Sequence, residues 1–129
     1  MTDKKSIVMV SGGFDPVHVG HIRLIQAASE YGDVIVIANS DTWLYKEKGF
    51  VFMSFEQRKE ILSALKGVII VDSVEDDDGT VCEAIYRHKP DYFANGGRRM
   101  PSNTPEVWTC KELGVEMLWG VGGTRGQDT

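Results

Sequence analysis

The sequence predicts an α/β fold, a three-layer sandwich with a five-stranded parallel sheet and helices on both faces. Short, nearly continuous apolar runs recur along the chain, each bounded by glycine or a polar residue. Such runs mark strands covered on both faces. Between them lie segments whose apolar residues recur at helical spacing. Strands that alternate with helices need crossover connections, and crossovers make neighbouring strands parallel.

The elements follow in order. "SIVMVSG" (Ser6 to Gly12) is the first strand. "HIRLIQAASEYG" carries Leu24, Ala28 and Tyr31 on one stripe, with Gly32 as its C-terminal stop. "DVIVIAN" (Asp33 to Asn39) is the second strand, and the segment after it, to Lys48, is expected as a loop. Ser54 and Gln57 form a capping-box pair that opens a helix through Ile61, Leu62 and Leu65 to Gly67. "VIIVDSV" (Val68 to Val74) is expected as a third buried strand, and Glu75-Asp76-Asp77-Asp78 as a solvated loop. Thr80 and Glu83 repeat the capping signature ahead of Val81, Ala84, Ile85 and His88. "DYFANGG" (Asp91 to Gly97) is the fourth strand, Thr104-Pro105-Glu106 starts the next helix, and "VEMLWGV" (Val115 to Val121) is the fifth strand.

The chain has 129 residues, the size of one domain with a single core, and no disulfide or structural metal is needed at that length. A hydrophobic content of 42% and a charged content of 26% suit a globular protein in water. The two cysteines, Cys82 and Cys110, are expected as reduced thiols on separate helices. No apolar run approaches a membrane span, and the start lacks a signal peptide's apolar region, so the cytoplasm is the expected compartment. A net charge of −5 argues against a broad nucleic-acid face but leaves room for a locally positive pocket.

Every peculiar segment falls at a predicted strand carboxyl end, where open parallel sheets bind ligands. The densest is "GGFDPVHVGH", Gly12 to His21, which holds two of the three histidines. Gly12 and Gly13 permit a sharp turn and close approach of a ligand to the main chain. A helix opening at Val17 or His18 would aim unpaired N–H groups and its positive dipole end at an anion. His18 and His21, three apart, would then project from one face toward one phosphate. A metal is the other use of such a pair, but no third ligand is placed to match. His88 is expected to serve its helix C-terminus.

Gly12-Gly13-Phe14-Asp15-Pro16-Val17-His18-Val19-Gly20-His21 resembles the signature of the cytidylyltransferase-like nucleotidyltransferases, a Rossmann-like family whose hallmark is an HxGH element. The resemblance continues through "NSD" (Asn39 to Asp41), "MSFEQRKEILSAL", "DYFANGG" and "GTRGQDT" (Gly123 to Thr129), so it covers nearly the whole chain as one nucleotidyltransferase domain. It implies transfer of a nucleotidyl group to a phosphorylated acceptor with release of pyrophosphate. By that resemblance His18, His21, Lys46 and Arg58 are catalytic. Gly12, Gly13, Phe14, Asp15, Gly20, Asn95, Gly96, Gly97, Thr124, Arg125 and Thr129 bind nucleotide. Lys48 is a further phosphate contact and Asp15 also fixes its loop, while Arg98, where the chain departs from the family, is expected to add a phosphate grip or alter the acceptor.

Mg²⁺ is implied with the nucleoside triphosphate, no metal is held by the protein itself, and a homodimer is implied. The compact length is similar to glycerol-phosphate cytidylyltransferases, which puts CTP slightly ahead as donor. "NGG" and "TPEVW" resemble the heptose-phosphate adenylyltransferases, which makes ATP the close alternative. The acceptor is a small polyol- or sugar-phosphate. Two departures stand out: Arg98-Arg99 where the family has an aspartate, and a chain that stops at Thr129 where the family motif opens a further helix. These motivate the alternative of a nucleotide-binding module with weak turnover.

Overall fold

The computed structural model describes residues 6–96, 99, 100, 102 and 104–122. The elements run β1 (Ile7–Gly12), α1 (Val19–Ala28), β2 (Asp33–Ala38), α2 (Asp41–Lys48), α3 (Phe55–Ser63), β3 (Val68–Asp72), α4 (Cys82–His88), β4 (Tyr92–Ala94), α5 (Glu106–Leu113) and β5 (Glu116–Leu118). The five strands form one sheet in the order β3-β2-β1-β4-β5, and every pairing is parallel. The fold is the expected Rossmann-like α/β sandwich.

Side chains alternate across a strand, so each central strand feeds two cores. Val8, Val10, Val34 and Val36 pack with Ile25 and Ala28 of α1 and Leu62 of α3. Met9, Ile35, Ile37 and Phe93 pack with Ala84 and Ile85 of α4 and Cys110 of α5. Helices therefore cover both faces, which is why β1 and β2 read as unbroken apolar runs. The chain leaves β1 toward β2 and β3 on one side, then returns to β4 on the other. That reversal opens a crevice at the carboxyl ends of β1 and β4.

Several sequence expectations are corrected. The run at β3 is not buried on both faces. It is an edge strand, with Ile69 50% and Ile70 40% exposed; an apolar run cannot by itself distinguish a central strand from an edge. The segment after β2 is not a loop but α2, capped by the Ser40 side chain, which accepts from Trp43 N–H at 3.0 Å, and closed by Gly49 at φ 84°. Leu44 is its one buried residue, so its sequence shows no apolar stripe.

The Thr80–Glu83 capping box does not form. Val81 is the N-cap without a side-chain bond, and Glu83 instead binds Arg87 and the Glu75 N–H. Nor does α1 stop at Gly32. Ser29 is its C-cap, and Gly32 lies against the Ser6 carbonyl, where a Cβ would come within 2.2 Å of the oxygen. His88 lies beside Asp72 at 3.0 Å, a partner supplied by the neighbouring strand. Cys82 and Cys110 are both free thiols, and burial pushes the Cys110 thiol up to about 12.

Candidate active site at the strand carboxyl ends

The loop from β1 to α1 turns at Phe14, not at the glycines before it. Phe14 has φ 54°, while neither Gly12 nor Gly13 has a positive φ. What those two glycines supply is room. A Cβ on Gly12 would sit 3.3 Å from the Phe14 ring, and one on Gly13 would sit 3.1 Å from Leu44. Phe14 is buried and meets His21 edge-on, with ring centroids 4.7 Å apart. A cis peptide joins Asp15 to Pro16.

The two histidines build the start of α1 themselves. His18 is the N-cap, and its Nδ1 accepts from Gly20 N–H at 3.0 Å. His21, at the third helical position, returns the favour: its Nδ1 accepts from His18 N–H at 3.1 Å. This is a capping box made of imidazoles rather than hydroxyl and carboxamide. An Nδ1 that accepts from a backbone N–H carries no proton. In each neutral ring the proton is therefore on Nε2, which has no partner among the described residues. The rings stack with centroids 3.8 Å apart and planes 23° apart. The outcome is two adjacent Nε2–H donors at a helix start, fixed in tautomer by the cap.

Burial, with His18 beside it, lowers His21 from its ordinary 6.5 to about 4. At neutral pH that ring is a neutral donor. Between pH 6.5 and about 4 the unfolded chain takes up a proton that the folded ring refuses, so stability falls as pH falls through that window. Urea unfolding of the parent chain is expected to show this loss. A His21→Gln variant is expected to show a flatter profile across the same range.

Asp15 holds the far side of the loop. Its carboxylate accepts from Phe52 N–H at 2.8 Å and Met53 N–H at 2.5 Å, and pairs with Lys48 at 2.8 Å. Burial pushes this carboxyl up, but the Lys48 ammonium and the two N–H groups more than offset that and hold it below its ordinary value. Lys48 also donates to the Asp15 carbonyl. Both residues are thus engaged in joining the β1–α1 loop to the segment before α3.

Arg58, on α3, is fully buried. Its Nη1 donates to the carbonyls of Gly13 and Asn39, both at 2.8 Å, its Nε to Met53 at 3.0 Å, and its Nη2 to Asp41 at 2.6 Å. The exposed surface arginine that helix position alone would allow is not what the structure holds. One guanidinium ties together the loops after β1 and β2 and the lead into α3. Its donors face protein carbonyls and a carboxylate, so its place is that of a strut beneath the site.

Asp76 is the second strut. It was expected in a solvated acidic loop, yet it is 4% exposed and accepts from Asn39 Nδ2, Ser40 N–H and Ser40 Oγ. Asn95 is also turned inward, donating through Nδ2 to the Leu118 carbonyl at 3.1 Å. It clamps β4 to the exit of β5. Gly96 faces open space. Lys46 is exposed and lines a depression with Thr42 and Asp77, which shares Trp43 and Gly79 with the cleft beside Gly12 and Gly13. Gly97, Arg98, Thr124, Arg125 and Thr129 lie outside the described residues.

A cleft of about 490 Å³ opens at the strand carboxyl ends. Gly12 and Gly13 line it from β1, Asn39 and Trp43 from the β2 side, and Arg99 and Glu106 from the β4 side. It therefore opens at the reversal point of the sheet. A profile of the cytidylyltransferase-like family matches residues 9–119, which takes in the histidine cap, both struts and this cleft. The chain belongs to the cytidylyltransferase-like family.

Among its relatives is the bifunctional protein HldE of Syntrophotalea carbinolica, 36% identical over 119 residues, covering 90% of this chain and 23% of that protein. HldE of Sulfurimonas denitrificans is 40% identical over 96 residues, 72% of this chain and 20% of the relative. The chain thus spans about a fifth to a quarter of the HldE proteins it matches. FAD synthase of Ferroglobus placidus is 31% identical over 106 residues, 82% of this chain and 66% of that one. In fold, the chain is similar to the lipopolysaccharide core biosynthesis protein from Thermoplasma volcanium, with TM-score 0.75 and 20% identity over 90% of this chain and 96% of the other.

Sequence reasoning missed Glu106 and Asp76 as parts of this region, while Arg99 falls in the segment Asn95–Arg99 that it placed at a strand carboxyl end. Arg99 and Glu106 form an ion pair, and Asp76 sits within a run of acids. Burial separates Glu106 and Asp76 from ordinary surface charges, and the bond to buried Glu106 sets Arg99 apart.

Proposed function

We propose that this chain transfers a nucleotidyl group from a nucleoside triphosphate to a small phosphomonoester, releasing pyrophosphate. The carrying observation is the imidazole capping box, which leaves two stacked Nε2–H groups without a protein partner among the described residues. An acceptor phosphate is largely dianionic near neutral pH, since its second pKa is about 6. Its oxygen attacks the α-phosphorus, the bond to the bridging oxygen breaks, and pyrophosphate leaves with the electron pair. No general base is required. The barrier is charge building on the phosphates, and the Nε2–H donors act on that charge. Lys46, on the exposed face of α2, is the candidate to close over the triphosphate.

ATP moves ahead of CTP as the donor. FAD synthase, whose product contains adenine, is among the relatives, and "NGG" with "TPEVW" resembles the heptose-phosphate adenylyltransferases. A protein-held metal does not fit the donor set. The described residues contain no cluster of three or more metal-binding side chains, and Asp15 is engaged by Lys48 and two N–H groups. Mg²⁺ belongs with the triphosphate as part of the substrate.

Calorimetric titration with ATP and with CTP, each with Mg²⁺, followed by a pyrophosphate-release assay over a panel of sugar- and polyol-phosphates, tests this reading. ATP is expected to bind at least about tenfold more tightly. Tighter CTP binding would reverse the donor assignment. Nucleotide binding without pyrophosphate release from any phosphomonoester would favour the binding module instead.

A further inference from the structure

We infer that Arg99 is the phosphate contact of the acceptor subsite, which takes a phosphorylated polyol or sugar in the cleft between the β1 and β4 ends. This inference rests on the nucleotidyl-transfer reading and adds the residue that recognises the second substrate.

The cleft places Arg99 on the β4 side of β1 and Trp43 on the β2 side, with Gly12 and Gly13 between them. An acceptor there lies next to the loop that carries the histidines. The side chain of Arg99 is held at two of its three nitrogens. Nε donates to Thr104 Oγ1 at 3.1 Å, and Nη2 donates to Glu106 Oε1 at 2.8 Å. Glu106 is 3% exposed, and its other oxygen accepts from Val81 N–H at 2.9 Å. The guanidinium plane is therefore set by a buried carboxylate that is itself fixed. Nη1, with two N–H donors, has no partner among the described residues, and the side chain is 38% exposed.

A cation oriented in advance, lining an open cleft with an uncommitted donor pair, suits a phosphate more than a neutral group. Preorganisation also reduces the ordering cost of binding. Among the described residues, two further cations near this cleft are committed elsewhere, while Lys46 lines the adjoining depression. Arg58 is buried against carbonyls and Asp41, and Lys48 is bonded to Asp15. The indole of Trp43 supplies an apolar wall for the carbon skeleton of the acceptor.

The test is calorimetric titration of the full chain with inorganic phosphate and with glycerol 3-phosphate. It is run on the free chain and again with saturating α,β-methylene-ATP, which cannot transfer. In the parent chain both probes are expected to bind in the presence of the nucleotide analogue, and glycerol is not. Arg99→Met should weaken both probes at least tenfold while analogue affinity stays within about threefold, and Arg99→Lys should recover part of the loss. Because Arg99→Met leaves Glu106 buried and unpaired, the Arg99→Met/Glu106→Gln double variant is tested alongside it and should show the same loss with its melting temperature restored.

Probe binding unchanged in both methionine variants overturns the inference. So does an equal loss of analogue affinity, or a phosphate loss that returns to the parent value when Glu106→Gln restores stability. Failure of both probes to bind a nucleotide-saturated parent chain overturns it too, with nucleotide binding intact. Failure of ATP, CTP and the analogue to bind overturns the proposed function instead. The titrations on the free chain then decide the fate of Arg99 alone.

Discussion

Replacement of His18 by alanine is expected to lower kcat for nucleotidyl transfer by about 10²–10³-fold, the scale of one deleted oxyanion donor. Two effects are combined in that variant, because His18 serves α1 with one nitrogen and, in the proposed mechanism, the substrate with the other. Loss of the Nδ1 acceptor removes the bond from Gly20 N–H and should cost about 1 kcal/mol of stability. Loss of the Nε2–H removes the donor that the proposed mechanism directs at the phosphates. His18→Asn separates the two: asparagine is a good N-cap and restores stability, but its amide ends where Nδ1 was and cannot reach the position of Nε2.

The expected pattern is therefore a melting temperature near the parent's for His18→Asn with kcat as low as in His18→Ala. Parent-like turnover in His18→Asn would show that the imidazole pair is a helix cap and nothing more. His21→Ala should depress kcat by a similar factor, with a further packing loss because its ring lies against Phe14. The stacked rings act as one unit, so the double variant should lose less than the product of the two single effects.

Arg58→Ala is expected to produce the largest loss of stability among single variants of this region. It strands the carbonyls of Gly13, Asn39 and Met53 without their donor, and each buried polar group left unmet costs about 1–3 kcal/mol. Asp41 is 46% exposed, so water recovers most of its side of the pair. The net is about 3 kcal/mol or more, which in thermal melts is a fall of roughly 10 °C. Arg58→Lys should recover little, because one ammonium cannot reach three directions set by a planar fork. Ligand binding in the cleft should fall with stability, since the Gly13 and Asn39 carbonyls belong to loops that line it. A melting temperature within about 2 °C of the parent's would refute the strut.

These two residues show where local reading reaches its limit. The histidine spacing was legible because capping is a contact between near neighbours, and a helix start can be read from a few consecutive residues. The spacing alone could not show that each Nδ1 is taken by the cap. That depends on which backbone N–H groups lie within 3.1 Å once the turn at Phe14 is made. For Arg58 the helix was legible and the role was not, because its partners lie 17, 19 and 45 positions away and meet it only when the loops converge.

The sequence by itself determined the α/β class, the parallel sheet and the end of it where the candidate site lies. Apolar periodicity and end signals are local, and crossover handedness leaves few topologies open. It also marked Gly12–His21 as the centre of interest. Only the tertiary structure decided that β3 is an edge, that Asp76 is a buried anchor and that Asn95 points inward. It alone brought Arg99, Glu106 and Trp43 to one cleft. A charged residue has the same local signature whether water or a carbonyl faces it, and burial is a property of the assembled layers.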